Sequence, residues 1–429
     1  MKSILIKGGR VIDPSQSLDA VSDIFITEGK IHPPLPDSPG PETEVVEATD
    51  LIVCPGFIDL HCHLRQPGQE YKETIASGTR AAAKGGFTTV CCMPNTDPPL
   101  DNAAMISYVK HLAAETGAVR VLPIGTITRG RRGEELADLA ELRRAGAVAF
   151  SDDGAYVSSA RTLRRALEYA RPLGIPLIEH CEEPSLAEGG QINEGATATR
   201  MGLPGIPGAA EEIAAARDII LAEFTGARLH LAHISTAGTV ELVRQAKHRG
   251  AKVTAEATPH HLTLTEESTL GYNTLAKVNP PLRTKRDVSA LIEGLRDGTI
   301  DAIATDHAPH APTDKRCEFA AAAFGISGLE TALGSLLELV HASKIDIKTL
   351  IGSLSAGPAK VLGQYPDLGT LAPGSKADAV IFDPSAEWTV QARAFVSKGQ
   401  NTPLDGTRLK GKVKMTIYNG EIIYRDGGF

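Results

Sequence analysis

Short apolar runs alternate with longer mixed segments over most of the chain. From Pro55 onward, eight runs rich in β-branched and small apolar residues are each followed by a segment rich in Ala, Leu, Glu and Arg. This alternation predicts strands that each lead into a helix, as in a parallel sheet. Eight such units are enough to close a (β/α)8 barrel. The predicted strands are residues 56–61, 87–92, 119–125, 147–151, 176–180, 228–233, 252–257 and 300–306.

The two ends of the chain have a different pattern. Short strands are predicted at residues 4–7 and 23–27 and again at 379–382 and 414–418, and the Pro-rich stretch 33–41 interrupts the first end. Neither end is long enough to form a domain alone, so we expect the two to pair. The sequence therefore predicts an α/β protein in which residues 1–54 and 366–429 form one small β-domain around a barrel at residues 55–365.

Composition and charge mainly argue against certain classes of partner and location. The chain has 429 residues, a hydrophobic content of 42% and a formal net charge of -8 without a basic stripe, which argues against a nucleic-acid or anionic-membrane partner. The six cysteines include no CxxC pair, and no apolar run approaches the roughly 18 residues of a membrane span. The N-terminus lacks the pattern of an export signal, so we expect a cytoplasmic protein.

Polar side chains follow the predicted strands at the end where barrel enzymes carry their chemistry. Because the carboxyl ends of all eight strands meet at one rim, these side chains are expected to lie together. Imidazole and carboxylate are ligands of zinc, and a His-x-His pair on a strand places both rings on one face. The sequence therefore predicts a metal site of four histidines and two aspartates at this rim. The polar residues at the strand ends are His61 and His63 at the first strand, Asp152 and Asp153 at the fourth, His180 at the fifth, His233 at the sixth, and Asp306 and His307 at the eighth.

Other histidines are predicted to be structural. His230 precedes His233 by three residues, so the alternation of a strand predicts that it faces the helices. His260 and His261 lie beyond the seventh strand, and a direct role for them stays open. Asp152 is predicted to support the ligands rather than to bind metal. The remaining structural histidines are His32, His111, His248 and His341.

One segment carries a resemblance to a known family. The motif DLHCHLRQPG at residues 59–68 resembles the amidohydrolase superfamily, and within it the long bacterial dihydroorotase family. Further segments look like that family's motifs, in its order, so the resemblance covers essentially the whole chain. They are MPNT at 93–96, SDDG at 151–154, EHCE at 179–182, GLPGIP at 202–207, HLAHIS at 230–235, TPHHL at 258–262, VNPPLR at 278–283 and TDHAPH at 305–310.

The resemblance implies both a fold and an activity. The fold is a TIM barrel of the amidohydrolase type with a small β-sandwich domain made from both chain ends. The activity is that of a zinc-dependent cyclic amidohydrolase that interconverts N-carbamoyl-L-aspartate and (S)-dihydroorotate in de novo pyrimidine (UMP) biosynthesis. One or two zinc ions are implied, with two favoured. The implied ligands are His61, His63 and Asp306 for one zinc, and His180 and His233 for a second, with Asp153 bridging.

The implied substrate contacts lie close to these ligands. They are His63, Arg65, Asn95, Asn279, His310 and the backbone at Phe324 and Gly325. Arg65 also suits this role by its chemistry, because its planar fork matches a carboxylate. Asp306 is the expected catalytic residue, which would take a proton from the attacking water and give it to the departing ring nitrogen. Two positions depart from the family pattern: Gln66 replaces a usual Glu, and Ala323 replaces a common Pro.

Two other functions are compatible with the sequence. Hydantoinases and allantoinases resemble this chain in fold but use a carboxylated lysine from the fourth strand, and residues 147–151 contain no lysine. A non-catalytic scaffold that binds aspartate carbamoyltransferase is the alternative from another class, although such relatives typically lack metal ligands that this chain keeps. A homodimer, an aspartate carbamoyltransferase partner and a lid at residues 311–323 are further expectations.

Overall fold

A computed structural model of the protein describes residues 3–33 and 42–429, so that most of the predicted Pro-rich break at 33–41 lies outside the described residues. The strands are β1 Ile4–Asp13, β2 Leu18–Thr27, β3 Lys30–His32, β4 Glu44–Glu47, β5 Ile52–Pro55, β6 Phe57–Cys62, β7 Phe87–Cys92, β8 Arg120–Pro123, β9 Leu177–Glu179, β10 Ile192–Asn193, β11 Gly205–Ile206, β12 Leu229–Leu231, β13 Val253–Ala257, β14 Ala302–Ile303, β15 Ala379–Thr389, β16 Arg408–Tyr418 and β17 Glu421–Arg425. The helices are α1 Ile75–Lys84, α2 Ala103–Thr116, α3 Leu139–Ala145, α4 Ala160–Leu173, α5 Pro184–Ala187, α6 Ala196–Met201, α7 Gly208–Thr225, α8 Ala237–His248, α9 Pro259–Thr263, α10 Lys285–Arg296, α11 Pro312–Lys315, α12 Ala332–His341, α13 Ile347–Leu354 and α14 Ala356–Leu362.

Strands from the two chain ends form one hydrogen-bonded sheet. Strand β5 pairs in parallel with β1 and antiparallel with β15, and β15 pairs antiparallel with β16. Apolar side chains from both ends, among them Ile6, Val53, Ala379 and Ile417, form a shared buried cluster on this sheet. The ends of the chain thus depend on each other for a core, because burial of apolar surface is what stabilises so small a unit.

The central part of the chain contains two larger parallel sheets, besides the short parallel pair β10–β11. One has the order β6-β7-β8 and the other the order β14-β13-β12-β9. Single bridges join their edges: Cys62 pairs with His307, while Phe150 pairs with both Gly125 and Leu177. The prediction of a regular strand at 147–151 is wrong, because this run forms only isolated bridges between β8 and β9.

Helices follow the parallel strands in sequence, and their ends have simple local causes. Thr74 is the N-cap of helix α1, and its side chain accepts a hydrogen bond from Ser77 N. Thr236 caps α8 in the same way. Helix α4 ends at Gly174, which adopts the left-handed conformation (φ 72°) that glycine tolerates without steric cost. Within the described ranges, no helix is both long and apolar enough to span a membrane.

A second apolar cluster lies on one face of the parallel strands. It combines small residues such as Ala149, Ala302 and Ala304 with the larger Ile58 and Leu60, and α14 packs against it. Side chains on the opposite faces of these strands, such as Phe57, pack against the helices. Apolar side chains thus cover much of both faces of these strands, and the chemistry of such folds is expected at the carboxyl ends of the strands.

Candidate metal centre

The six predicted ligands all lie at the carboxyl ends of the central strands and are all buried. His61 belongs to β6 and His63 follows it, whereas the other ligands follow shorter strands or the isolated bridge at Phe150. The structure thus brings together side chains from five separate parts of the sequence. These ligands are His61, His63, Asp153, His180, His233 and Asp306.

Five of the six form two overlapping groups whose ligand atoms lie within 4.8 Å of one another. In the first group, His63 Nε2 lies 3.1 Å and His61 Nε2 lies 3.6 Å from Asp306 Oδ1. In the second, His61 Nε2 lies 3.3 Å and His233 Nε2 lies 3.5 Å from Asp153 Oδ1. The second oxygen of Asp153 lies 3.6 Å from His63 Nε2, so this carboxylate faces both groups.

The sixth residue, His180, lies directly beside the second group. Its Nδ1 is 3.0 Å from His233 Nε2 and 4.0 Å from Asp153 Oδ1. On the other side of the ring, His180 Nε2 lies 3.8 Å from Glu182 Oε2. His180 therefore faces the same carboxylate as His233, at a slightly greater distance.

The donor atoms fit a divalent cation of the zinc type. His61 Nε2, His233 Nδ1 and Asp153 Oδ1 are buried without a hydrogen-bond partner, although buried polar atoms are normally paired. A cation among imidazole nitrogens and carboxylate oxygens would satisfy such atoms. The cysteine between the two histidines does not take part, because Cys62 Sγ donates to Cys91 O at 3.3 Å.

Three residues of this region have backbone conformations that non-glycine residues rarely adopt. Their φ angles are 59° at Arg65, 33° at His233 and 44° at Asp306. Such conformations cost energy and occur mainly where function requires a particular side-chain direction. Here they turn the chain at the strand ends, where the side chains enter the site.

Glu256 on β13 holds a ligand in place and was not anticipated from the sequence. Its Oε1 lies 3.1 Å from His61 Nδ1, and its Oε2 lies 3.1 Å from His230 Nε2. Burial raises the pKa of Glu256, but the hydrogen bonds with His230 and His61 outweigh it and bring the pKa to about 2. The carboxylate is therefore ionised at neutral pH. It holds the His61 ring through Nδ1, so that Nε2 of the same ring faces the centre.

The predicted direction of His230 is wrong. Its ring lies against Glu256 and contacts Thr254 Oγ1 at 2.8 Å, so it supports the centre instead of facing the helices. The strand alternation does not extend to His233, because β12 ends at Leu231 and His233 itself has a positive φ. His230 is nevertheless structural in the sense that it contacts a supporting carboxylate and not the ligand groups.

Replacing Glu256 by Gln should weaken metal binding. The amide keeps the shape but loses the charge that orients His61 and raises its basicity, so we expect zinc affinity to fall by roughly 10- to 100-fold. Competition with a chromophoric chelator measures this directly. Glu293→Gln, on the exposed side of α10, is a control that should leave the affinity unchanged. Equal affinities for Glu256→Gln and the wild type would remove Glu256 from this role.

Two further buried aspartates tie the strand ends together. Asp59 accepts hydrogen bonds from Thr305 N at 2.8 Å and Thr305 Oγ1 at 2.6 Å, immediately before Asp306. Burial raises the pKa of Asp59 to about 6, against the effect of these bonds. Asp152 accepts hydrogen bonds from the backbone of Ile127 and Thr128 at 2.9 and 3.1 Å, so it braces a loop beside the ligands.

The predicted substrate residues lie around the predicted metal ligands. Asn95 Oδ1 is 2.9 Å from His63 Nδ1, and Asn95 Nδ2 donates to Asp153 at 3.4 Å. Asn279 donates to Glu182 at 2.8 Å and lies 3.4 Å from His180 Nε2. Asn95 thus contacts one predicted ligand from each of the two groups, His63 and Asp153. Asn279 lies beside the remaining predicted ligand, His180.

Arg65 and His310 are two further predicted substrate residues, and both contact the backbone near the site. Arg65 Nε donates to Pro309 O at 3.2 Å, and His310 Nε2 donates to Phe324 O at 2.8 Å. Burial and the charges of Arg65 and Lys315 lower the pKa of His310 to about 3, so its ring is neutral at pH 7. Its Nδ1 is buried without a hydrogen-bond partner. Gly325, which follows Phe324, has a φ of 139° and no room for a Cβ beside Ala308.

The two adjacent histidines after β13 differ from each other. His261 is held on both sides, by Thr258 Oγ1 at 2.8 Å and by Pro280 O at 2.9 Å, which makes it structural. His260 Nε2 is buried without a partner. The segment predicted to be a lid contains α11 and is anchored by Lys315, whose Nζ donates to Thr274 O and to Lys277 O, each at 3.1 Å.

Two family models match the chain. Residues 50–239 match a model described as dihydro-orotase-like, and residues 208–424 match a model described as amidohydrolase family. Together they cover the central strands, all six ligands and most of the C-terminal strands.

Individual proteins resemble the chain over nearly its whole length. A dihydroorotase from Citrifermentans bemidjiense is 51% identical over 424 residues, covering 99% of this chain and 100% of that protein. A dihydroorotase from Pelotomaculum thermopropionicum is 52% identical over 424 residues, with 99% of each covered. Among solved structures, an L-hydantoinase (dihydropyrimidinase) from Arthrobacter aurescens has a TM-score of 0.89 at 27% identity and covers 100% of this chain and 97% of that one.

Proposed function

The chain belongs to the dihydroorotase family of the amidohydrolases, and from this premise we propose that it interconverts N-carbamoyl-L-aspartate and (S)-dihydroorotate in pyrimidine biosynthesis. The observation that carries the proposal is the pair of ligand groups around His61, with Arg65 and His310 beside them. A metal centre next to a cationic side chain suits a cyclic amide that bears a carboxylate.

We propose that two zinc ions occupy the site. His61, His63 and Asp306 would hold one, His180 and His233 the other, and Asp153 would bridge them. The position of Asp153 Oδ1 near His61 and His233, with Oδ2 near His63, supports the bridging role. When bound, such ions lower the pKa of a water and polarise a carbonyl oxygen.

The protein side chains then provide proton transfer. Burial raises the pKa of Asp306, but the hydrogen bond with His63 and the neighbouring histidines outweigh it and hold the pKa well below its usual range. The carboxylate is therefore ionised at neutral pH and can accept a proton from the attacking water. In ring opening it returns that proton to the departing ring nitrogen, and in ring closure the transfers run in reverse.

Orientation of the substrate falls to the residues beside the ligands. Arg65 is half-buried, and desolvation lowers its pKa, yet a guanidinium stays charged in proteins. Its fork can pair with the substrate carboxylate, while the neutral His310 and Asn95 supply further hydrogen bonds. We propose that these contacts, with Asn279 and the backbone at Phe324 and Gly325, fix the ring over the metal centre.

Replacing Arg65 by Ala should mainly impair substrate binding. Loss of a buried charged partner for a carboxylate costs about 2–5 kcal/mol, so we expect kcat/KM for dihydroorotate to fall by roughly 30-fold or more. Steady-state kinetics at full zinc occupancy measure the effect. Arg296→Ala, on the exposed side of α10, is the control. Unchanged kinetics for Arg65→Ala would exclude Arg65 from carboxylate recognition.

The main alternative substrates are those of hydantoinases, which share the fold. The structure from Arthrobacter aurescens and a D-hydantoinase from Thermus sp., with a TM-score of 0.82 at 26% identity, are enzymes of that kind. The carboxylate of Asp153 faces both ligand groups here, and residues 147–151 offer no lysine for carboxylation. This combination favours dihydroorotate.

Parallel assays of dihydroorotate, hydantoin, dihydrouracil and allantoin test the proposed function. We expect turnover of dihydroorotate to exceed that of each other ring by at least about 100-fold, because only dihydroorotate presents a ring carboxylate to Arg65. Ring closure of carbamoyl aspartate should occur in the same preparation. Preference for hydantoin or dihydrouracil in the zinc-loaded enzyme would contradict the proposal.

We further propose the (β/α)8 barrel at residues 55–365 and a small β-domain from residues 1–54 and 366–429, in which the strands form the single sheet described above. The bridges that join the two parallel sheets at both edges support the closed barrel.

Five buried free cysteines support a cytoplasmic protein. A homodimer is our proposal for the assembly, supported by the exposed apolar side chains of Ile213, Ile220 and Phe224 on α7, with aspartate carbamoyltransferase as a further partner.

A further inference from the structure

One segment of the C-terminal strand region enters the wall of the candidate site. Residues 397–401 lie in the connection between β15 and β16, far from the ligands in sequence. Buried and exposed positions alternate along it: Ser397, Gly399 and Asn401 are buried, whereas Lys398 and Gln400 are exposed. The buried side of this segment faces residues that follow Asp306.

The side chain of Asn401 makes four hydrogen bonds. Its Oδ1 accepts from His310 N at 2.9 Å and from Ser327 Oγ at 2.8 Å. Its Nδ2 donates to Ala308 O at 2.9 Å and to Gly325 O at 3.0 Å. The side chain is almost fully buried, so water cannot replace these partners.

Only a primary amide of this length can serve all four partners. An aspartate would accept hydrogen bonds but could not donate to the two carbonyl oxygens, and a serine carries a single hydroxyl. The four partners belong to two stretches that meet at the proposed substrate side, residues 308–310 and 325–327. Asn401 therefore sets the distance between His310 and the backbone at Gly325.

Gly399 brings the same segment against Pro309. A Cβ at Gly399 would lie 2.4 Å from Pro309 Cβ and 2.5 Å from Ser327 Oγ, which is closer than side chains approach. The carbonyl of Pro309 in turn accepts the hydrogen bond from Arg65 Nε at 3.2 Å. The absence of a side chain at Gly399 thus permits the packing that places Pro309 against Arg65.

Ser397 connects the segment to the other side of Asp306. Its hydroxyl donates to Glu73 Oε2, and that oxygen lies 3.3 Å from His307 Nε2. The amide of Gly399 donates to Ser397 Oγ at 3.0 Å, so these contacts belong to one continuous network. The stretch from His307 to His310 is braced along its whole length.

We propose that Asn401 and Gly399 are positioning residues for substrate recognition, through which the C-terminal strand region fixes Arg65, His310 and the Gly325 backbone relative to one another. The inference rests on the proposed function, because it concerns recognition of the substrate carboxylate. The C-terminal strand region then contributes to substrate recognition instead of serving only as support. Within the described chain, no hydrogen bond joins Asn401 or Gly399 to the six metal ligands, so metal binding is separable from this role.

The test compares Gly399→Ala and Asn401→Ser with Gln400→Ala, an exposed neighbour in the same segment. For the first two we expect the KM for dihydroorotate to rise by roughly 10- to 100-fold, because small displacements of binding groups have effects of this size. We expect kcat to change much less and zinc content to equal that of the wild type. The dissociation constant of orotate, measured by equilibrium dialysis, should rise with KM. Gln400→Ala should match the wild type in all four quantities.

Unchanged KM and orotate affinity in Gly399→Ala and Asn401→Ser would overturn the proposal. Losses in strict proportion to zinc content or to folded protein would also overturn it, because they would indicate a purely structural role. If neither variant folds, Ser327→Ala removes one partner of Asn401 and should still raise KM several-fold; an unchanged KM there counts against the proposal. Absence of dihydroorotase activity in the wild type would instead refute the proposed function.

Discussion

Asp306→Asn should reduce kcat for dihydroorotate by about 1,000-fold, within the range that general acid–base catalysis contributes. The amide keeps an oxygen near His63 but cannot accept the proton of the attacking water. It also cannot return a proton to the ring nitrogen, so ring opening and ring closure should be impaired together. Kinetics in both directions, at zinc concentrations that saturate the variant, measure the effect.

The interpretation of Asp306→Asn depends on two comparisons. Asp297→Asn replaces a surface carboxylate paired with Arg244 and should leave kcat unchanged. Zinc bound per chain must be measured for Asp306→Asn, since the loss of a ligand charge weakens metal binding. A kcat within about 10-fold of the wild type at full zinc occupancy would rule out Asp306 as the proton-transfer group.

Removal of metal should lower activity to about one per cent of the starting value or less, because no side chain can replace the polarising effect of a cation. It should also lower Tm, since a cation that binds only the folded state stabilises it. The stripped centre would leave the buried His61, Asp153 and His233 without the partner that their unpaired atoms require. Activity and thermal unfolding before and after dialysis against a chelator measure both effects.

Readdition of zinc should restore activity and Tm together. Magnesium and calcium should restore neither, because these cations prefer sites made of oxygen atoms, whereas four of the six proposed ligands are imidazoles. Full activity in metal-free protein would contradict the proposed role of the cation in the reaction.

Much of the centre could be predicted from the sequence because its ligands follow strands. Each of His61, His180, His233 and Asp306 comes at or just after an apolar run, and parallel strands bring their carboxyl ends to one rim. The resemblance in local motifs then suggested how the ligands divide between two metals. That division remains a proposal.

Other features depend on contacts that strand patterns do not contain. The run at 147–151 is apolar, but it lies between β8 and β9 without regular pairing and forms only isolated bridges. The direction of His230 depends on where β12 ends and on the positive φ of His233. Backbone conformation at strand ends is set by tertiary packing, which alternation of polar and apolar residues does not encode.

Supporting residues were the hardest to predict. Glu256 lies within β13, and its approach to His61 follows only from the order of strands around the site. Asn401 acts from the connection between β15 and β16, where the sequence gives no sign that the chain returns to the substrate side. A buried carboxylate or amide in a predicted strand or loop is the one signal available, since such groups require partners.

Anomalous X-ray scattering at the zinc edge, from crystals of the zinc-loaded protein, tests the metal centre most directly. We expect two peaks, one near His61, His63 and Asp306 and one near His180 and His233, with Asp153 between them and ligand distances of about 2.0–2.2 Å. Absence of zinc peaks among these residues in crystals of active enzyme would contradict it.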